Sequence, residues 1–449
     1  MIQTGKRFER KVKRLEEENK RLTEENVFLR KKVKSLEKKI SELEKKRKST
    51  RKPRVKSNTS GKKKKPGRKP GFKGTSRKKP DHVDEVVDVT LSSCPHCGTP
   101  LGKSYEQRER CAEDIVIVLP HVIKYIIHRY YCSHCQTSVS AAPDDVIPHC
   151  RLGINVMLLA AFQKFELHLS YEKIRKNLEM LYGIETTTAT LCNAVKLISK
   201  YYKEEFEKIK DHIKKAKAVY ADETGWRING ENHWLWTFVT EDAALFKIDK
   251  RRSSNVCKEV LGEDFDGVLI SDFFSAYHTK LPYKKQKCLV HLLRDTHNIS
   301  QNSEETRKFH KTIKRFIKDA AKFKEKNPPQ KKIAEAKKRF QRRLDKIIVG
   351  PYTDPDCIRL AKRLNQHRDS LLTFLEEDCD YHNNRAENAL RLSVIMRKIC
   401  FGNNSRIGAD IHEILMSIII TYRLQKKNFL KESKKFMKNR LRQIATSKN

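Results

Sequence analysis

No stretch of this 449-residue sequence stays apolar for long. The longest strongly apolar run, Ile414 to Ile420, falls far short of the ~20 residues a membrane-spanning helix needs. Met1 to Lys13 carries a charge every few residues and has no apolar h-region, so no secretory signal is expected. The 12 cysteines are too sparse for a disulfide scaffold in a chain of this length. Four of them form two Cys-x-x-Cys pairs, which points to a reducing compartment and to metal binding. Acids are outnumbered: 56 Asp and Glu face 97 Lys and Arg, a net charge of +41. Such a surplus calls for a polyanionic partner, most often nucleic acid. With 38% hydrophobic and 34% charged residues, part of the chain is expected to lie outside any core. The length suits two to four domains.

The basic surplus is uneven. Residues 1–80 hold 32 Lys and Arg but 9 Asp and Glu, and residues 49–80 hold 14 Lys and Arg and no acid. Within residues 1–48, Phe8, Leu15, Leu22, Leu29, Leu36 and Leu43 recur every seven residues, and Val12, Asn19, Asn26, Val33 and Ile40 interleave with them. This heptad pattern predicts a parallel two-stranded coiled coil, with Asn19 and Asn26 fixing register. Four prolines break the basic segment 49–80, so it is expected to be a flexible arm. Lys62, Lys63, Lys64, Lys65, Arg68 and Lys69 are its candidate DNA-phosphate contacts. A basic zipper is excluded by the order, because there the basic helix precedes the coil.

Residues 81–150 contain Cys94-Pro95-His96-Cys97 and Cys132-Ser133-His134-Cys135. Two such knuckles supply four thiolates, a closed tetrahedral set for structural Zn2+. The runs Ile115 to Leu119 and Val122 to Tyr131 are expected to be the strands of a ribbon between them. Residues 151–215 are expected to form a helical, helix-turn-helix-like domain: Ser170 caps one helix, Tyr182-Gly183 ends it, and the threonines at 186–188 cap the next. Residues 216–295 switch to strands. Two short apolar runs end in acids, Val219-Tyr220-Ala221-Asp222 and Leu269-Ile270-Ser271-Asp272, and a third strand is expected from Lys287 to Val290, ending at His291. Residues 296–380 are basic and helical, and 381–449 hold further helices, the first of them carrying Glu387.

Two strand-end aspartates and a helical glutamate fit the binding of hard divalent ions, Mg2+ or Mn2+, for in-line phosphoryl displacement. Spacing alone does not separate such a trio from ordinary surface acids. Glu223 alternates away from Asp222 if the strand continues. Cys288 and His291 could suggest a second zinc site, but a Cys-x-x-His pair without a partner pair is more often core packing with a hydrogen bond. His291 also suits phosphate positioning, and Arg391, one helical turn after Glu387, suits either a phosphate or an ion pair with Glu387.

The surrounding residues resemble a known family. Tyr220-Ala221-Asp222-Glu223-Thr224 with His233-Trp234-Leu235-Trp236, Ser271-Asp272 with Cys288-Leu289-Val290-His291, and Asn383-Asn384-Arg385-Ala386-Glu387-Asn388 are similar to the three acid-bearing regions of the insertion sequence 66 family of DDE transposases. His382 and Asn388 depart from that pattern, and neither is a triad position. The resemblance implies an α/β RNase H-like catalytic core interrupted by a helical insertion, with Asp222, Asp272 and Glu387 as catalytic metal ligands. It implies a transposase acting on transposon ends and target DNA as a homodimer or higher oligomer, with accessory proteins encoded by the same element. A cytoplasmic, nucleoid-associated location is expected. The competing expectation is a zinc-containing DNA-binding protein derived from a transposase that no longer cuts.

Overall fold

A computed structural model describes residues 81–113, 119–140, 150–278 and 282–447, with scattered positions from 17 to 37 and from 143 to 148. The chain divides into two units, residues 1–114 and 115–449. The basic arm, including Lys62 to Lys65, Arg68 and Lys69, lies outside the described residues, as does most of the heptad segment and of the expected strand at 115–119. In the first unit, Leu29, Val33 and Leu36 are helical and about half exposed.

The second unit begins with a hairpin, β1 (Arg129–Cys132) and β2 (Thr137–Ser140), paired antiparallel with Cys132 opposite Thr137. Of the expected ribbon, residues 119–128 carry no strand. Four helices follow: α1 (Ile154–Phe165), α2 (Tyr171–Tyr182), α3 (Thr188–Tyr201) and α4 (Lys203–Lys214). Their boundaries follow from local chemistry. The Ser170 hydroxyl accepts from the Lys173 amide, Gly183 ends α2 in the left-handed region, and the Thr187 hydroxyl accepts from the Thr190 amide.

The sheet contains β3 (Ala218–Ile228), β4 (Glu231–Val239), β5 (Ala244–Asp249), β6 (Val268–Ser271) and β7 (Lys284–Lys287), in the order β5-β4-β3-β6-β7. The first three strands are an antiparallel meander, and β6 and β7 are parallel to β3. This five-stranded mixed sheet with flanking helices is compatible with an RNase H-like core. Helix α5 (Ser254–Leu261) lies between β5 and β6 in sequence. After β7 come α6 (Leu289–Ile299), α7 (Glu304–Glu325), α8 (Gln330–Ile348) and α9 (Pro355–Gln366), and then α10 (Asn384–Cys400), α11 (Arg406–Leu424) and α12 (Phe429–Ser447). Breaks fall at Pro328-Pro329 and Gly350-Pro351, where the rings prevent helix continuation. Helices α6 to α9 enclose their own apolar core, including Phe309, Ile313, Phe340, Leu344 and Leu360. The larger core joins the sheet to α1–α5 and α10–α12.

One expected strand is corrected. Residues 284–287 form the last strand, and Leu289 opens a helix with Cys288 at its cap. The sequence Lys-Lys-Gln-Lys hides this strand because its buried polar side chains are satisfied from elsewhere. Gln286 Nε2 donates to the carbonyls of Lys287 and Leu371, and its Oε1 accepts from the Phe374 amide.

Edge strand β5 is closed by side chains of α11. The hydroxyls of Thr421 and Ser417 and Oε1 of Glu413 accept from the amides of Ala244, Phe246 and Ile248, at 3.0, 2.9 and 2.9 Å. Four residues along a helix advance about 6 Å and two along a strand about 6.8 Å, so one helix face can serve alternate amides of an otherwise unpaired edge. Among the described residues no helix is long and apolar enough to cross a membrane.

Candidate active site

Parallel pairing between β3 and β6 ends at the row Tyr220–Ile270. Asp222 and Asp272 therefore stand two residues beyond the last paired row of neighbouring strands, where parallel strands open a crevice. Asp222 is not at a strand end as expected. Its strand continues with β4 alone to an Asn229-Gly230 turn, both residues having positive φ, as a tight hairpin requires. Each aspartate accepts a local amide through Oδ1: Asp222 from Glu223 at 3.0 Å and Asp272 from Phe274 at 2.9 Å.

Glu387 lies in the first turn of α10, and three attachments hold that helix along β3. Asn383 Nδ2 donates to the carbonyl of Ala221 at 2.8 Å, next to Asp222. Arg397 donates to the Thr224 hydroxyl at 2.9 Å and to the Gly225 carbonyl. Beyond the helix, Asn403 exchanges backbone hydrogen bonds with Arg227 and Asn229, and its Oδ1 accepts from Trp226 Nε1 at 2.8 Å. Burial, then Glu223, Asp272 and Glu387, push the Asp222 carboxyl up to about 7. A carboxyl whose charged form is disfavoured by burial and by neighbouring acids suits a divalent cation beside it.

Glu223 turns from this group. Its carboxylate pairs with Arg252 at 2.7 Å and accepts from the Tyr277 hydroxyl, while the Arg252 guanidinium sits 4.1 Å from the Trp234 ring centroid and 3.9 Å from that of Phe274. Trp226 and Trp236 are core. Arg385 pairs with Asp380, which also accepts from the Tyr220 hydroxyl. Arg391 is exposed and makes no ion pair among the described residues, so the expected alternative of a pair with Glu387 is not found. Instead His291 Nε2 stands 3.6 Å from Glu387 Oε1, and Cys288, His291 and Glu387 present ligand atoms all within 4.8 Å of one another.

Sequence reasoning missed Lys287. It is fully buried, and its ammonium donates to the backbone carbonyl of Asp272 at 2.7 Å and to the Ser271 hydroxyl at 3.1 Å. Burial pulls its pKa down to about 8. The Lys287 ammonium is thus tied to the backbone of the second acid.

Each cysteine pair has its own turn chemistry. In the first unit, the Cys94 amide donates to the Thr99 carbonyl and the Gly98 amide to the Cys94 carbonyl, and Cys97 Sγ lies 3.3 Å from the Thr99 hydroxyl. In the second, Cys135 Sγ lies 2.9 Å from the Thr137 hydroxyl, across Gln136 at positive φ. The sequence signal is a repeated Cys-x-His-Cys-x-Thr. Hydrogen bonds from Thr99 hold the Cys97 thiol below its ordinary value, and the backbone amide of Cys135 does the same for Cys132, as thiolate ligands require.

Comparison with known proteins adds one family and one relative. The family described as Transposase IS66 family matches residues 149–411, more than half the chain and all three acids. The uncharacterized protein y4hP of Sinorhizobium fredii is 24% identical over 399 residues, covering 77% of this chain and 70% of the relative.

Proposed function

The chain belongs to the IS66 family of transposases, and on that premise we propose that Asp222, Asp272 and Glu387 are the metal-binding triad of a DDE-type enzyme that cuts and joins DNA at transposon ends. The observation carrying this reading is the placement of the three acids: two on neighbouring strands and one on a helix tied to the first of them, with burial, then Glu223, Asp272 and Glu387, pushing the Asp222 carboxyl up to about 7. Bound Mg2+ or Mn2+ would activate water or a 3′-hydroxyl and stabilise the leaving oxygen. The chain's own part is positional. Asn383 and Arg397 keep Glu387 alongside β3, Lys287 fixes the backbone of Asp272, and Arg252 and Tyr277 hold Glu223 out of the ligand set. Exposed Arg391 and half-buried His291 are the side chains proposed to meet phosphates flanking the scissile bond.

The remaining modules serve DNA handling. Residues 1–48 pair subunits, so that two ends are held together. The arm at 49–80 tracks phosphates through Lys62, Lys63, Lys64, Lys65, Arg68 and Lys69. Cys94, Cys97, Cys132 and Cys135 hold a structural Zn2+ in the 81–150 module, and the helices of 151–215 contribute a further DNA-binding domain. Residues 216–295 and 381–449 form the RNase H-like core around the insertion at 296–380. Accessory proteins encoded by the same element would act with the enzyme, which would work at the nucleoid.

The test uses DNA carrying the element's own ends. Asp222→Asn, Asp272→Asn and Glu387→Gln are each expected to lower Mg2+-dependent cleavage by at least about 1000-fold, with gel-shift binding retained. Wild-type protein that binds the ends but never cuts them supports the non-enzymatic reading, and normal cleavage by any of the three variants removes that residue from the triad.

A further inference from the structure

The starts of two helices meet beside the proposed triad. Cys288 caps α6 and His291 follows in its first turn, three residues on and so on the same face. Glu387 occupies the first turn of α10. A separate tie holds the two starts together, because the Asn383 amide donates to Cys288 Sγ at 3.3 Å and the Leu289 amide to the Tyr381 carbonyl at 2.9 Å. The ligand atoms of Cys288, His291 and Glu387 all lie within 4.8 Å of one another.

The His291–Glu387 separation of 3.6 Å is too long for a good direct hydrogen bond. Ligand atoms around a tetrahedral ion with bonds of about 2.0–2.3 Å stand roughly 3.3–3.8 Å apart, and 3.6 Å falls in that interval. Glu387 Oε1 is a buried atom without a hydrogen-bond partner among the described residues, although buried polar atoms are normally satisfied. A thiol, an imidazole and a carboxylate form a borderline-soft set that prefers Zn2+ to Mg2+, and three protein ligands leave a fourth position open.

We propose that Cys288, His291 and Glu387 form a transition-metal site that takes Zn2+ and shares Glu387 with the catalytic triad, so that Zn2+ there withdraws Glu387 from the catalytic ions. The binding half stands on geometry alone. The competition half rests on the role proposed above for Glu387.

Full-length protein purified in zinc-containing buffer, so that the Cys-x-x-Cys pairs are already supplied, is titrated with Co2+ while thiolate-to-cobalt absorption is followed. The wild type is expected to develop the band, as is Cys192→Ser, which removes an exposed cysteine elsewhere. Cys288→Ser is expected to lose it, and His291→Ala to weaken Co2+ binding about tenfold or more. A Cys288→Ser spectrum identical to the wild type overturns the site. Should Cys288→Ser fail to fold by circular dichroism, undiminished Co2+ affinity in His291→Ala overturns it equally. In the cleavage assay, the Zn2+ concentration that halves the Mg2+-dependent rate is expected to rise about tenfold in Cys288→Ser, each variant being compared with its own zinc-free rate. Equal zinc sensitivity with the cobalt band present overturns the sharing of Glu387. Absence of any wild-type cleavage counts against the proposed function and leaves the cobalt measurement to decide the site.

Discussion

At the scale of single residues, the polar groups near the crevice divide into those aimed at it and those that support it. Asp222 and Glu223 are adjacent but oppositely directed, as strand alternation requires, and Arg252 and Tyr277 bind the second. The alternation, and the candidate acids themselves, were legible in the sequence. Lys287 was not, because a lysine in Lys-Lys-Gln-Lys reads as solvated surface. It is buried because the Ser271 hydroxyl and Asp272 carbonyl lie within its reach. The raised carboxyl of Asp222 has a consequence for stability without metal. A folded-state value of about 7 against an ordinary 3.8 means that the folded state holds its proton more tightly than the unfolded chain. Its contribution is therefore fully present below about pH 4 and lost as pH rises through about 7. Asp222→Asn is expected to stabilise the metal-free protein at pH 8 by on the order of 1–3 kcal/mol, with little effect near pH 4. Thermal melts across that range, with and without Mg2+, check this.

At the scale of elements, capped helices were legible and polar strands were not. Ser170, Gly183 and Thr187 mark their helix ends through local chemistry. The extension of β3 past Asp222 has a sequence signal in Asn229-Gly230, the turn pair that closes its hairpin with β4. The start of α6 reads as strand in the sequence because Cys-Leu-Val-His is apolar enough for either structure. Tertiary partners of β5 and of the 401–405 loop lie more than 150 residues away and left no local trace. They make specific predictions. Ser417→Ala is expected to cost about 1–3 kcal/mol in denaturant unfolding by orphaning the Phe246 amide. Gly402→Ala is expected to cost at least as much, because a Cβ there would lie 2.3 Å from the Arg227 carbonyl oxygen, at a φ of +131° that side chains resist. It should also lower cleavage, since this loop anchors the helix that carries Glu387 beside β3.

At the scale of the whole molecule, the charge surplus is concentrated ahead of the core: residues 1–80 carry a net +23 of the total +41. The sequence separated a basic, helical segment after β7 from the strands before it. It held no sign that α6 to α9 would close around their own core, because such packing depends on which apolar faces meet. Pairing of two chains is argued from the heptads and from the exposure of Leu29, Val33 and Leu36. Removal of residues 1–48 is expected to turn dimers into monomers by light scattering, and an unchanged mass would count against the coil. The central claim, direct metal ligation by the acids, is tested most directly by changing the ligand atom at one of them. Asp272→Cys puts a soft sulfur where Mg2+ requires oxygen and where Mn2+ tolerates sulfur better. Cleavage of end DNA by this variant is expected to fall at least about 100-fold in Mg2+ and to recover substantially in Mn2+, whereas wild-type rates in Mg2+ would contradict the account.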